Sequence, residues 1–329
     1  MKILITGGNG FIGTNLVEAL REYQKGSDVF IIDIDSPKIE LQKNELWYNI
    51  DILNYPELLS KFIEVKPDVV VHMAAVTDCD PRLVMQDYLT NTKGSENVFN
   101  AADQSNPNCF VVNVSTQYVN QSDVVPTADD EYAPHTVYGE SKIIAENTLR
   151  NGNYSFNWVT VRPTNIWGKW HLRYPHEFWK VVKQGKYFHP GSKKVQRSYG
   201  YVGNVCIQII KLIENAQSPK VSKKFLYVGD RPLYLYDWAN SFSKAITGKP
   251  ARVVPSFMVY TLAVVGSGLQ KINVKFPITL SRYKNMISEN PAPMEPTFKV
   301  TGESRYSVDE GVEITTKWLK GFWEKNGIV

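Results

Sequence analysis

Residues 2–6, 29–33, 68–73, 109–115 and 158–162 form short runs rich in β-branched and aromatic side chains, with few charges inside them. Such runs read as strands. Between or beside them, residues 11–23, 55–64, 83–104 and 138–150 repeat apolar side chains at helical spacing. Continuous apolar strands separated by helices predict a parallel sheet covered on both faces, a doubly wound α/β fold.

After Pro163 the texture changes. Trp167, Trp170, His171, Tyr174, Phe178, Trp179, Tyr187, Phe188 and His189 crowd a stretch that also holds Gly168, Pro175, Pro190 and Gly191. This composition predicts an irregular, pocket-forming region. Its aromatic rings could stack a nucleotide base or serve only as core. Further on, residues 202–214, 236–247 and 314–325 have helical spacing, and 225–228 reads as a strand. A chain of 329 residues holds one large unit and a smaller companion. The division expected is a first domain over 1–165, to which 198–228 returns, and a second over 166–329. No Pro/Gly/Ser-rich linker separates them, so a shared interface is expected.

Composition narrows the function class. The net charge of +4 suits an anionic small substrate and is too weak to argue for nucleic acid. The apolar segment 257–265 is too short to span a bilayer, which takes about 20 residues. It is expected to be a buried helix, or less readily a surface-seeking one. The N-terminal residues lack the basic and apolar pattern of a secretory signal. Cys79, Cys109 and Cys206 are odd in number and have no metal-type spacing, so a reduced, cytoplasmic protein without a metal site is expected.

The first strand runs directly into Thr6-Gly7-Gly8-Asn9-Gly10-Phe11-Ile12-Gly13. In that context Gly7 permits the turn, Gly10 lets backbone approach a pyrophosphate, and Gly13 lets the helix pack on the strand. The following helix offers free N–H groups and a favourable dipole to phosphate. The pattern points to a Rossmann-type dinucleotide site. Asp33 ends the second strand, where a carboxylate accepts from ribose hydroxyls and repels a 2′-phosphate, which favours NAD over NADP. A turn or cap role for Asp33 is the plainer alternative. Asp51 and Ile52, after the next strand, could cover the adenine edge, although such an Asp is often only a cap.

Tyr138 and Lys142 stand four residues apart, on one helical face. A nearby ammonium and a cationic nicotinamide would lower the phenol's pKa and make Tyr138 a base. Alone, this spacing also describes an exposed helix pair. Ser115-Thr116 ends a strand at the crevice of the sheet, where a hydroxyl could reach the reacting oxygen.

Together with Val71-His72-Met73-Ala74-Ala75, Asn91-Thr92-Lys93-Gly94 and Arg162-Pro163-Thr164-Asn165, these motifs resemble the extended short-chain dehydrogenase/reductase family, in particular its NAD-dependent epimerase/dehydratases of nucleotide sugars. The likeness is specific over 1–168, looser over 197–214 and 225–248, and faint beyond Pro250. It implies Thr116 as substrate-orienting hydroxyl, Tyr138 as base and Lys142 as its partner, the last two also touching cofactor. Gly7, Gly10, Phe11, Ile12, Gly13, Asp33, Asp51 and Ile52 would line the cofactor with Met73, Ala74 and Ala75. Asn91, grouped with them, resembles the family's structural asparagine. Asn165 and Arg197 would contact the substrate; a surface arginine beside Lys193 and Lys194 is the alternative for Arg197. A homodimer through helices near 83–104 and 138–150 is expected.

The family's 4,6-dehydratases carry Asp-Glu after the threonine, and its decarboxylases a Glu nearby; this chain has Gln117-Tyr118. That leaves epimerisation through a transient keto sugar, in polysaccharide or glycoconjugate precursor synthesis, as the expected activity. An NAD-linked dehydrogenase or reductase of the same sugars is the near rival. A sterol-type dehydrogenase, with 257–265 as its lipid-facing entry, and a non-catalytic NAD sensor stand further off. His171 or His189 could instead remove a carbon-bound proton, although packing is their plainer role.

Overall fold

The computed structural model describes residues 1–121, 125–191, 194–272, 274 and 276–327; Lys193 lies outside them. Strands β1 (Lys2–Thr6), β2 (Asp28–Ile32), β3 (Glu45–Tyr48), β4 (Val69–His72), β5 (Phe110–Val114) and β6 (Asn157–Pro163) come first. Short strands follow: β7 (Asn165–Trp167), β8 (Phe188–Pro190), β9 (Gln196–Arg197) and β10 (Tyr199–Tyr201). Then come β11 (Lys224–Val228), β12 (Leu233–Tyr234) and β13 (Arg252–Val254). The helices are α1 (Phe11–Tyr23), α2 (Tyr55–Val65), α3 (Ser95–Ser105), α4 (Val137–Asn151), α5 (Phe178–Lys183) and α6 (Val202–Glu214). They continue with α7 (Leu235–Thr247), α8 (Ser256–Lys271), α9 (Leu280–Ile287), α10 (Glu295–Thr301) and α11 (Val308–Lys325).

Seven strands form one sheet in the order β11-β6-β5-β4-β1-β2-β3, every neighbouring pair parallel. Alternation along each strand feeds two cores. Ile3, Ile5, Val71 and Val112 pack with α1 and α6 on one face. Leu4, Val70 and Val111 pack with α2 and α3 on the other. This is the doubly wound, Rossmann-type sheet expected from the apolar runs, with its crevice at the strand C-termini between β1 and β4. From beyond residue 200, β11 adds to the sheet edge beside β6.

Three expectations are corrected. Residues 83–104 are not one helix: a 3-10 turn (Met85–Tyr88) and a π-helical turn (Thr90–Gly94) precede α3. Helical periodicity alone cannot register such an insertion, which is held by side-chain bonds from Asn91. The last helix starts at Val308 rather than 314, because Ser307 and Glu310 form a reciprocal capping box. Residues 257–265 lie in α8 with Phe257, Met258, Tyr260, Leu262, Val264 and Val265 exposed, so the helix is not buried.

The aromatic stretch after Pro163 folds inward. Trp167 and Trp179 are fully buried, and Phe178 stacks on Trp238 of α7 with ring centres 4.7 Å apart. These rings are core.

Candidate active site

The loop from β1 to α1 closes on itself through Gly10 N–H donating to the Gly7 carbonyl (3.1 Å). Gly7 has φ +70°, and a Cβ there would stand 2.6 Å from the Ala74 nitrogen. A Cβ on Gly13 would stand 2.6 Å from the Gly8 Cα. The loop, the start of α1 and Met73–Ala75 therefore meet at distances only glycine allows. They form a backbone cradle that fits a dinucleotide's diphosphate. Phe11 and Ile12 open α1 and pack against the core from partly exposed positions.

Asp33 follows β2 and faces the cradle. Its carboxylate accepts from Asn9 N–H (2.9 Å) and Asp35 N–H (3.0 Å), while lone pairs remain. Lys38, not foreseen from the sequence, stretches over the same loop and donates to the Asn9 carbonyl. Burial lowers its pKa, and Asp33 opposes that. Asp51 takes the cap role that the sequence also allowed, and the Ile52 side chain turns into the core. The Asp51 carboxylate accepts from Leu53 N–H (2.9 Å) and caps its own turn. Ile52 is 4% exposed and packs in the core, where it faces Gly94.

Thr136 caps α4 by accepting from Gly139 N–H (3.0 Å), and the helix carries Tyr138 and Lys142 inward. Thr116, just past β5, accepts from Tyr118 N–H (3.2 Å), and its hydroxyl lies near enough to the Tyr138 phenol to act on its pKa. Strand end and helix thus present one hydroxyl each to the same point. Burial raises the Tyr138 pKa well above its ordinary value, and the Thr116 hydroxyl offsets part of this. The direction is opposite to that expected from Lys142: burial dominates, and Cys79, Tyr118 and Tyr88 push the same way. Burial also pulls Lys142 down to about 8, against the attraction of Glu146.

Asn91 bonds twice to Val76, accepting from its N–H (2.7 Å) and donating to its carbonyl (2.9 Å), and donates to Ser141 Oγ (2.9 Å). Both amide protons are used, so Asn91 ties the Met73–Val76 segment to α4 rather than offering donors to a cofactor. The Asn91 backbone carbonyl accepts from Ser95 Oγ (2.7 Å), which bonds His72 Nε2 (2.8 Å); His72 Nδ1 meets Thr6 Oγ1 (2.7 Å). Burial, and secondarily Lys142, brings the pKa of His72 to about 3.

On the substrate side, Asn165 N–H donates to the Ser198 carbonyl (3.3 Å), and β7 pairs with β10, so Asn165 and Arg197 share one wall. Arg197 is 7% exposed, not a surface arginine. One nitrogen donates to the Asn285 carbonyl, while Nε is buried without a partner. Gln117 accepts from Asn290, and Ser198 N–H donates to the Asn290 carbonyl (2.8 Å).

Sequence reasoning missed the rings around the phenol. Tyr88 and Tyr118 stand 6.4 and 6.2 Å from the Tyr138 ring. Neither histidine is suited to be a base. His171 stacks on Tyr174 at 4.0 Å and accepts from Arg173 and Tyr174 N–H (both 3.1 Å). His189 is buried, and burial lowers its pKa.

The sequence profile of the NAD dependent epimerase/dehydratase family matches residues 3–226, well over half of the chain. The chain belongs to that family. It is an NAD-dependent enzyme of the extended short-chain dehydrogenase type. A sterol-4-alpha-carboxylate 3-dehydrogenase of Saccharomyces cerevisiae is 24% identical over 97% of both chains. A GDP-6-deoxy-D-talose 4-dehydrogenase of Aggregatibacter actinomycetemcomitans is 30% identical over 65% of this chain and 70% of its own. In three dimensions a UDP-glucuronic acid 4-epimerase from Bacillus cereus, solved with UDP-glucuronic acid and NAD, aligns with a TM-score of 0.74 and 20% identity. That alignment covers 98% of this chain and all of the other, and it shows the shared fold.

Proposed function

We propose that this enzyme epimerises a nucleotide sugar through a transient keto sugar, in the making of a polysaccharide or glycoconjugate precursor. The observation that carries the reading is the buried Tyr138 phenol of α4 brought to Thr116 at the end of β5 beside a glycine-only cradle, with Gln117-Tyr118 following the threonine. An amide and a phenol there offer no acid/base pair for dehydration at neutral pH.

Gly7, Gly10 and Gly13 would hold the NAD diphosphate against the N-terminus of α1, flanked by Phe11 and Ile12. Asp33 would take the adenosine ribose hydroxyls, and Met73, Ala74 and Ala75 would line the nicotinamide side. When bound, NAD supplies a hydride acceptor that can return what it takes. Thr116 orients a sugar hydroxyl, Tyr138 removes its proton and gives it back, and Lys142 stabilises the phenolate. The lowered pKa of Lys142 means its ammonium is held only against burial, so a negative phenolate beside it strengthens that charge. Arg197, with a buried unpartnered Nε, and Asn165 would grip the substrate diphosphate. We read the chain as a cofactor domain over 1–165, to which 198–228 returns, and a mainly substrate-binding domain over 166–329, working as a homodimer in the cytoplasm.

A second reading, hydroxy dehydrogenation of a sterol-like alcohol, is favoured by the full-length match to the yeast enzyme. One assay separates them. The protein is incubated with NAD and a panel of nucleotide sugars, with products resolved by chromatography and NADH absorbance followed. Interconversion of two sugars without net NADH supports epimerisation. Stoichiometric NADH from a nucleotide sugar, or from a sterol and no sugar, would replace it with dehydrogenation.

A further inference from the structure

We propose that the α8–α9 hairpin docks this protein on an anionic lipid surface. A helix apolar on every side belongs in a core or against lipid. In α8 only the seam Val259, Ala263 and Gly266 is buried. Phe257 is 71% exposed, and beyond the helix Ile272 is 69% exposed. Isolated exposed apolar residues are ordinary, whereas a contiguous set on one element marks an interaction surface. α9 closes against α8 through Tyr260–Tyr283 (5.6 Å) and a bond from Leu280 N–H to Ser267 Oγ (2.9 Å). A side chain on Gly266 would strike the Ile278 carbonyl. The hairpin is a built unit with its apolar side turned outward.

Charge selects the partner. Residues 238–288 contain seven lysines or arginines and no aspartate or glutamate. The rest of the chain, with 33 acidic residues, mixes both signs. Lys271, Arg282 and Lys284 on the hairpin are exposed. A second copy would bring the same positive charge against itself and be repelled. Anionic headgroups above an acyl layer match both the charge and the apolar face. Sixteen residues give α8 a length of about 24 Å, and no helix among the described residues is long and apolar enough to cross a membrane, so α8 lies in the interface. Asn285 of α9 accepts from Arg197, so docking brings the substrate wall of the cleft to the headgroup layer.

The test needs no turnover and so stands apart from the proposed reaction. The full chain is co-sedimented at low salt with phosphatidylcholine vesicles, with and without phosphatidylglycerol. Binding is expected with phosphatidylglycerol and roughly tenfold weaker without it. Phe257→Ser/Val265→Ser and Arg282→Glu/Lys284→Glu should each weaken binding by about tenfold, with NAD-induced thermal shifts unchanged to show that they fold. Wild-type protein that stays in solution with both vesicles overturns the proposal, as does equal binding to both. So does an apolar double variant that binds like wild type. Light scattering that shows a dimer made monomeric by Phe257→Ser/Val265→Ser, without vesicle binding, would instead assign the face to a second copy.

Discussion

Removing one oxygen by Tyr138→Phe takes away the proposed acceptor of the sugar proton, while the ring stays packed against Tyr88 and Tyr118. Turnover should fall by about 10²–10⁴-fold with NAD affinity and unfolding temperature nearly unchanged. Steady-state kinetics beside a thermal melt would check this, and undiminished turnover would rule out the mechanism. His72 gives a second prediction at this scale. Its folded pKa, about 3, lies below the ordinary 6.5, so the unfolded chain takes up a proton that the folded chain refuses. The stability is therefore whole above pH 6.5 and is lost as pH falls toward 3, at on the order of 1.4 kcal/mol per pH unit. Lys142 obeys the same sign higher up: stability rises between about 8 and 10.5 as the folded chain sheds its proton first. Urea midpoints measured from pH 7 to 4 should decline more steeply for wild type than for His72→Gln. Parallel declines would contradict the assignment.

At the scale of elements, α4 is bound to the sheet by a buried ion pair. Arg162 of β6 donates to both carboxylate oxygens of Glu146 on α4 (3.0 and 2.7 Å) and to the Asp129 carbonyl (2.6 Å). Tyr132 adds a bond to Glu146 (2.8 Å), and both charged side chains are at most 1% exposed. Glu146→Gln leaves a guanidinium buried without its counter-charge, and about 3–5 kcal/mol of stability should go with it. Chemical denaturation would measure the loss; a change under about 1 kcal/mol would mean the pair contributes little. This link was invisible beforehand, since Arg162 and Glu146 are ordinary charged letters until the sheet brings them together. The strands, by contrast, were plain in the apolar runs, because a strand covered on both faces needs every position apolar. So were the glycine loop and Tyr138/Lys142, whose chemistry depends on spacing within one turn. The π-helical turn at Thr90–Gly94 and the outward face of α8 were not, because the first answers to Asn91 contacts and the second contradicts the rule that apolar means inside.

For the whole molecule, cofactor binding couples to folding. A ligand that binds only the folded chain stabilises it by about 2.7 kcal/mol at a hundred times its dissociation constant. NAD should therefore raise the unfolding temperature. NADP at equal concentration should raise it far less if, as proposed, the Asp33 carboxylate takes the adenosine ribose, where it would repel a 2′-phosphate. Differential scanning fluorimetry would decide, and an equal shift with NADP would point to Lys38 as the group that offsets Asp33. The C-terminal third was the least legible part. Its elements are short and meet in pairs such as β8 with β13 and β9 with β12, which join residues far apart in sequence.

Synthesis runs from the N-terminus, and the sheet is not finished in that order. β6 leaves the ribosome with β5 already available on one side, but its other neighbour, β11, follows only after roughly 60 further residues. At about 5–20 residues per second, the nascent chain carries an unpaired apolar edge for several seconds. The aromatic stretch emerging in that interval has no finished core to enter either. A cell making this enzyme quickly faces its greatest risk of strand-to-strand aggregation in that window, while the cradle and the catalytic helix are already complete.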